Sequence, residues 1–275
     1  MLGIFDSGLG GLTVLRHVRE QLPDEDLVYF ADQAHLPYGD KSVEELRGYL
    51  AAAVAYLEKR NVDAIVMGCN TTCAVAARFG YPSARVPILD LIEAAAHAIV
   101  ASGAGRVGVL ATAATVRMGA YGNAIRRLAP QVVVEEVAAP ALVPLVEAGL
   151  RSGRDVRAAV AEACGRFQGK LDAVVLACTH YPLLDAEFAA VLGPAILRLD
   201  PSIAQANRAV AFVRSRNAGT ESGSTRYVTS GDLATFRVNA AEIMGKTDCA
   251  GASFSNYVEQ PEEDVHRKET QQRSG

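Results

Sequence analysis

The segment Asp63-Ala64-Ile65-Val66-Met67-Gly68-Cys69-Asn70-Thr71 decides the fold, because the chain repeats it as Asp172-Ala173-Val174-Val175-Leu176-Ala177-Cys178-Thr179-His180. Each copy is a short apolar run, then a small residue, then a cysteine with polar neighbours. A run of that length reads as a buried strand, with the cysteine just past its carboxyl end. In open α/β sheets, ligands bind at that end. A duplicated fold whose halves face each other presents two thiols to one cleft. Thiols on opposite sides of one carbon atom can carry a proton from one face to the other.

Outward from the first copy, a strand over 2–5 leads into the glycine-rich turn Asp6-Ser7-Gly8-Leu9-Gly10-Gly11 and a helix over 12–21. A strand over 27–30 and a loop over 32–40 follow. Ser42 with Glu45 forms a capping box that starts a helix running to about residue 59. After the Cys69 strand come a helix to residue 79, a short strand over 87–90 and a helix over 91–101. The second half repeats the plan: a strand over 107–110, a turn of small residues over 111–115 and a helix, then a strand over 132–137. A loop carrying Pro140 and Pro144, a helix over 154–168 and the Cys178 strand complete it. Alternating strands and helices predict an α/β fold: two similar domains with parallel sheets, related by pseudo-symmetry, with the site in the cleft between them. The boundaries predicted are 1–93 plus 208–249 for the first domain and 94–207 for the second. A last strand and helix, over 226–230 and 233–244, are expected to pack on the first domain. The polar tail over 250–275 has the composition of a disordered segment.

The 275 residues suffice for two compact domains, and a formal charge of −4 gives no reason to expect nucleic acid as a main partner. No stretch approaches the roughly 20 apolar residues of a membrane span. The first residues lack the basic region and cleavage site of a signal peptide. Five cysteines, at 69, 73, 164, 178 and 249, form no disulfide framework, so reduced thiols in a cytoplasmic protein are expected.

A single buried cysteine is by default an inert core filler; the repeated context of Cys69 and Cys178 argues for function. Their place before polar residues that can start a helix predicts a lowered thiol pKa. His180, two residues past Cys178, can adjust that thiol's proton affinity. Cys73 lies one helical turn beyond Cys69, so Cys69, Cys73, Cys178 and His180 can be read as a zinc set. The spacings are weak for zinc, and no metal site is assigned. The glycines at 8, 10 and 11 fit neither the dinucleotide nor the Walker pattern, but they let backbone N–H groups hold a carboxylate. Asp6 could bind an ammonium group or help a thiol. Asn70, Thr71 and Thr179 can cap helices and still bond a zwitterion. Glu147 reads by default as a solvated charge.

These motifs together resemble the cofactor-independent glutamate racemases of the aspartate/glutamate racemase superfamily. The resemblance runs to about residue 245 and rests on Phe5-Asp6-Ser7-Gly8, Ala31-Asp32 with Pro37-Tyr38-Gly39, Cys69-Asn70-Thr71, the run ending at Gly149, and Cys178-Thr179-His180-Tyr181-Pro182. It implies that Cys69 is the base for one enantiomer and Cys178 for the other, supported by Asp6, His180 and Glu147. It implies a substrate site lined by Asp6, Ser7, Pro37, Tyr38, Gly39, Asn70, Thr71, Thr112, Thr179 and His180, with glutamate as substrate and no cofactor. It further implies a cytoplasmic enzyme, often a homodimer, supplying D-glutamate for peptidoglycan. The chain departs from the family's usual pattern in three places: Gln33 for a small hydroxyl residue, Thr72-Cys73 after Asn70-Thr71 where an alanine is more usual, and Asp90 for glycine. A racemase for aspartate or a hydantoin, and a zinc-binding regulatory protein, are the alternatives.

Overall fold

A computed structural model describes residues 1–216, 223–245 and 252–257. The first half runs β1 (Leu2–Asp6), α1 (Leu12–Gln21), β2 (Leu27–Ala31), α2 (Val43–Glu58), β3 (Ala64–Met67), α3 (Asn70–Phe79), β4 (Ile88–Leu89) and α4 (Leu91–Ala101). The second runs β5 (Arg106–Ala111), α5 (Ala113–Met118), α6 (Ala120–Leu128), β6 (Val133–Ala138), α7 (Leu142–Glu147), α8 (Arg154–Cys164), β7 (Ala173–Ala177), α9 (Asp185–Leu192) and β8 (Leu197–Leu199). Then follow α10 (Pro201–Ser215), β9 (Thr225–Thr229), α11 (Leu233–Met244) and β10 (Ser253–Asn256).

The strands form two wholly parallel sheets, ordered β10-β9-β2-β1-β3-β4 and β6-β5-β7-β8. The four strands of each half repeat one order, in which the first strand lies between the second and third. The chain therefore reverses its direction of winding beside β1 in one sheet and beside β5 in the other. Such switch points leave a crevice beyond the carboxyl ends of the flanking strands. Ser7, Cys69, Thr112 and Cys178 all fall there, each within two residues of a strand end.

β1, β3 and β7 are buried throughout, as parallel strands covered on both faces must be. Alternation along β5 and β7 assigns their two faces to different cores. Val107, Val109, Ala111, Ala173, Val175 and Ala177 join a core continuous with the first half. Leu110, Val174, Leu176 and Cys178 face a second core with Leu142, Tyr181 and Phe188. α10 fastens to the first sheet through Gln205, which is wholly buried and donates to Met67 O at 2.8 Å and Leu89 O at 2.6 Å. Gln205→Leu keeps the volume but strips both carbonyls of this donor. It is expected to lower stability by about 2 kcal/mol, read as a lower urea midpoint at unchanged slope.

The structure differs from the sequence reading at several places. The boundaries drawn at 93/94 and 207/208 fall inside α4 and α10. The helix after β5 breaks in two at Gly119, whose φ of 60° lies in the left-handed region that glycine enters most readily. The loop expected around Pro144 is the helix α7, because a proline in a first turn lacks only an N–H that would have no partner there. α8 stops at Cys164, four residues before the expected end. The final strand and helix do join the first sheet, with β9 pairing β2. The start of the polar tail is no coil: β10 pairs β9, and Phe254 stacks on Tyr227 at 4.7 Å. The rest of the tail lies outside the described residues.

Candidate active site

Cys69 lies two residues past β3 and is the N-cap residue of α3, in extended backbone (φ −95°, ψ 112°), and Cys178 directly follows β7. Both thiols are reduced, buried, and line one small cavity of about 60 Å³ between the two sheets. Pockets for drug-sized ligands and cofactors run to several hundred Å³, so this one suits a small molecule. Around the thiols the first half contributes Ser7, Pro37, Tyr38, Gly39, Asn70 and Thr71. The second half contributes Thr112, Thr179 and His180. Asp6 and Glu147, also named from sequence, stand behind this lining rather than in it.

Asp6 is fully buried and joins the halves: Oδ1 accepts from Gly8 N at 2.8 Å and Oδ2 from the Thr179 hydroxyl at 3.0 Å. Thr71 and Thr112, one from each half, both line the cavity and share a hydrogen bond at 3.0 Å. Asn70 accepts from the Tyr121 hydroxyl at 2.6 Å, which aims its amide nitrogen away from that ring. That nitrogen is buried and has no partner. A buried donor left unpaired is unfavourable by about 1–3 kcal/mol, so it is a ready seat for an anionic ligand oxygen.

The surroundings of the two sulfurs differ. The Cys69 thiol donates to Ser7 Oγ at 3.7 Å. Burial first, then the nearby Asp6 carboxylate, pushes it up to about 11, against partial relief from Thr72 and Ser7. Cys178 Sγ instead lies 3.6 Å from His180 Nδ1, whose Nε2 meets Glu147 Oε1 at 2.5 Å. Burial pulls the imidazole's pKa down, but its bonds to Cys178 and Glu147 outweigh that and hold it well above the ordinary 6.5. Burial pushes the Glu147 carboxyl up, yet the His180 bond and charge, with Leu9 N and Gln33, hold it below 4.5. The lowered thiol pKa expected from helix N-termini is thus overturned at Cys69, where burial and a carboxylate dominate. At Cys178 the helix is absent: a 3-10 turn, Tyr181–Leu184, follows, and α9 begins only at Asp185.

The paired state of His180 and Glu147 has two limits. A depressed carboxyl contributes above about pH 4.5 and loses its contribution as pH falls through the lower native value. A raised imidazole contributes below 6.5 and loses its contribution as pH rises through the higher native value. Glu147→Gln removes the charge that holds the imidazole protonated. The alkaline limb of the kcat/KM profile for racemisation is expected to move to lower pH.

The four residues of the zinc alternative do not converge. Cys73 turns out of the cavity, buried against Tyr81 and the Leu91 N–H. Among the described residues no cluster of three or more His, Cys, Asp or Glu side chains has the geometry to hold a metal. Cys164 packs half-buried against the second core, and Cys249 lies outside the described residues.

Several residues around the site were given no role in it from sequence. Leu36, Asp40, Ala113, Pro140, Val143 and Pro144 also line the cavity. Asp32, just past β2 as Asp6 ends β1, accepts from Tyr38 OH at 2.5 Å, His35 Nδ1 at 2.8 Å and Ser230 Oγ at 2.7 Å. It seats the turn that carries Tyr38 and Gly39. An aspartate at the end of a second strand was the available signal.

Residues 10–209 match the family described as Asp/Glu/Hydantoin racemase. The chain belongs to that family, and it is an amino-acid racemase. A glutamate racemase of Desulforudis audaxviator is 41% identical over 257 residues, covering 89% of this chain and 94% of the relative. The structure of a glutamate racemase isoform from Bacillus anthracis superposes with a TM-score of 0.86 at 27% identity, over 94% of this chain and 97% of the other. That of the Francisella tularensis glutamate racemase in complex with D-glutamate gives 0.84 at 28% identity, over the same shares. Among the described residues no helix is long and apolar enough to cross a membrane.

Proposed function

We propose that this chain interconverts L- and D-glutamate by proton transfer between two thiols, with no cofactor. The observation that carries this reading is the entry of Cys69 and Cys178 into one small cavity from the ends of opposed sheets. One sulfur, as thiolate, takes the α-proton, leaving its electron pair on the α-carbon. The other, as thiol, returns a proton to the opposite face, and the roles exchange for the other enantiomer. Burial and the Asp6 carboxylate favour the protonated thiol at Cys69, while Cys178 Sγ faces His180 Nδ1 at 3.6 Å.

Asn70 Nδ2, the first N–H groups of α3 and the hydroxyl pair of Thr71 and Thr112 supply donors for the substrate carboxylates, which also stabilise charge that develops there. Asp6 supports the Cys69 side, and His180 with Glu147 the Cys178 side. The glutamate-bound relative supports the choice of substrate. In this reading the enzyme works in the cytoplasm, forms a homodimer and supplies D-glutamate for peptidoglycan. The test is solvent deuterium incorporation at the α-carbon of each glutamate enantiomer without added cofactor, with a parallel amino-acid panel. Racemisation of glutamate with deuterium gained by the product is expected. Inactivity until pyridoxal phosphate is added, or a clear preference for aspartate, would overturn the reading.

A further inference from the structure

Behind the cavity, among the described residues, a chain of hydrogen bonds leads to one sulfur and not to the other. It starts outside the second half, at the end of β9. Gly231 N donates to Thr229 Oγ1 at 3.0 Å, and the Thr229 hydroxyl donates to Gln33 Oε1 at 2.9 Å. Gln33 lies in the short 3-10 turn Gln33–His35 after β2. Its Nε2 crosses to the other half and donates to Glu147 Oε2 at 3.1 Å. Glu147 Oε1 then receives Leu9 N at 3.0 Å and meets His180 Nε2 at 2.5 Å, and His180 Nδ1 faces Cys178 Sγ at 3.6 Å. The amide has one workable orientation: turned over, its oxygen would face the Glu147 carboxylate.

We infer that Gln33 is a positioning residue for the Cys178 half of the reaction, clamping one Glu147 oxygen so that the other holds the His180 imidazole against the thiol. The inference rests on the two-thiol reading above and assigns a role within it that neither the motifs nor the cavity lining gives. Three features carry it. Gln33 does not line the cavity, so it acts through Glu147 alone. The carboxylate is largely buried, and its Oε2 has the Gln33 amide as its hydrogen-bond donor from the first half. Thr229, fully buried and braced by Gly231, fixes the far end of that amide. A glutamine pinned at both ends restricts a carboxylate far better than mobile solvent does. Among the described residues no comparable chain reaches Cys69, whose neighbours are Ser7, Thr72 and the Asp6 carboxylate.

The test is the α-deuterium isotope effect on kcat/KM, measured with L- and with D-glutamate on the full chain. Gln33→Leu keeps the bulk and removes both hydrogen bonds; Thr229→Val removes only the outer brace. Loss of a hydrogen bond to a charged group predicts a fall in kcat/KM of about tenfold for Gln33→Leu, less for Thr229→Val. The fall is the same for both enantiomers, because their equilibrium constant is unity. The isotope effects, however, must diverge. For the enantiomer deprotonated by Cys178 that step becomes more limiting, and the effect rises. For the other, proton return by Cys178 becomes limiting, and the effect falls. General loosening of the fold would move both together. Isotope effects unchanged in both variants, or shifted in one direction for both enantiomers, overturn the role of Gln33. A wild-type protein with no isotope effect and no α-exchange overturns the two-thiol reading itself, a result distinct from failure of the variants.

Discussion

Cys69→Ser and Cys178→Ser are each expected to lower kcat/KM for racemisation by about 10²–10⁴-fold, the range for removal of a positioned general acid or base. A serine hydroxyl fits either place, so the cavity survives, but it is a far weaker acid than a thiol and is not ionised near neutrality. The losses should differ in kind. With Cys178 gone, Cys69 still reaches one face, and solvent deuterium still enters the α-position of one enantiomer without inversion. With Cys69 gone, the other enantiomer exchanges. Mass spectrometry of substrate recovered from deuterium oxide, beside a circular-dichroism assay of racemisation, reads both. Full racemase activity in either variant would rule out transfer between these two sulfurs.

The second large effect is expected at a residue that has no side chain. A Cβ placed on Gly10 would lie 2.5 Å from Thr179 Oγ1, 2.7 Å from His180 Nδ1 and 2.7 Å from His180 N. The hydroxyl and the ring can rotate away, but the backbone nitrogen cannot. Gly10→Ala therefore pushes the turn after β1 off the turn after β7, at the place where Thr179 donates to Asp6. A displacement near 1 Å at a catalytic contact lowers rates about 10²-fold. The loss should fall on kcat more than on global stability, because the contact lies at the seam between the halves. Gly48→Ala is the control: it is exposed on α2 with open space at Cβ. That change should leave activity intact and raise stability by up to about 1 kcal/mol. Equal activity in the Gly10 and Gly48 variants would mean that the halves do not need this close approach.

Much of the architecture is readable because the main determinants are local. The apolar runs of β3 and β7 are bounded by charge on one side and by cysteine on the other. The Ser42–Glu45 capping box starts α2 as expected, with both reciprocal bonds formed. What escapes notice depends on contacts made elsewhere. β10 carries a single large apolar residue, Phe254, and is a strand because β9 offers a free edge and Tyr227 a ring face. α7 hides behind Pro144, whose position in a first turn cannot be known before the turn is placed. The two thiols stand out in the sequence through their repeated frame, but the proton affinity of Cys69 does not. It depends on burial and on Asp6, both fixed by the folded sheet. Gln33 and Thr229 are 196 residues apart, and no local pattern links them.

The shared strand order of the two halves has a chemical corollary. One copy of the four-strand unit, bearing one sulfur, could wash hydrogen on and off a single side of a stereocentre but could never erase its handedness. In the two-thiol reading proposed above, inversion needs the unit twice, mouth to mouth. Once both copies lie on one polypeptide they are free to diverge, so one sulfur can keep a carboxylate neighbour while its counterpart acquires an imidazole.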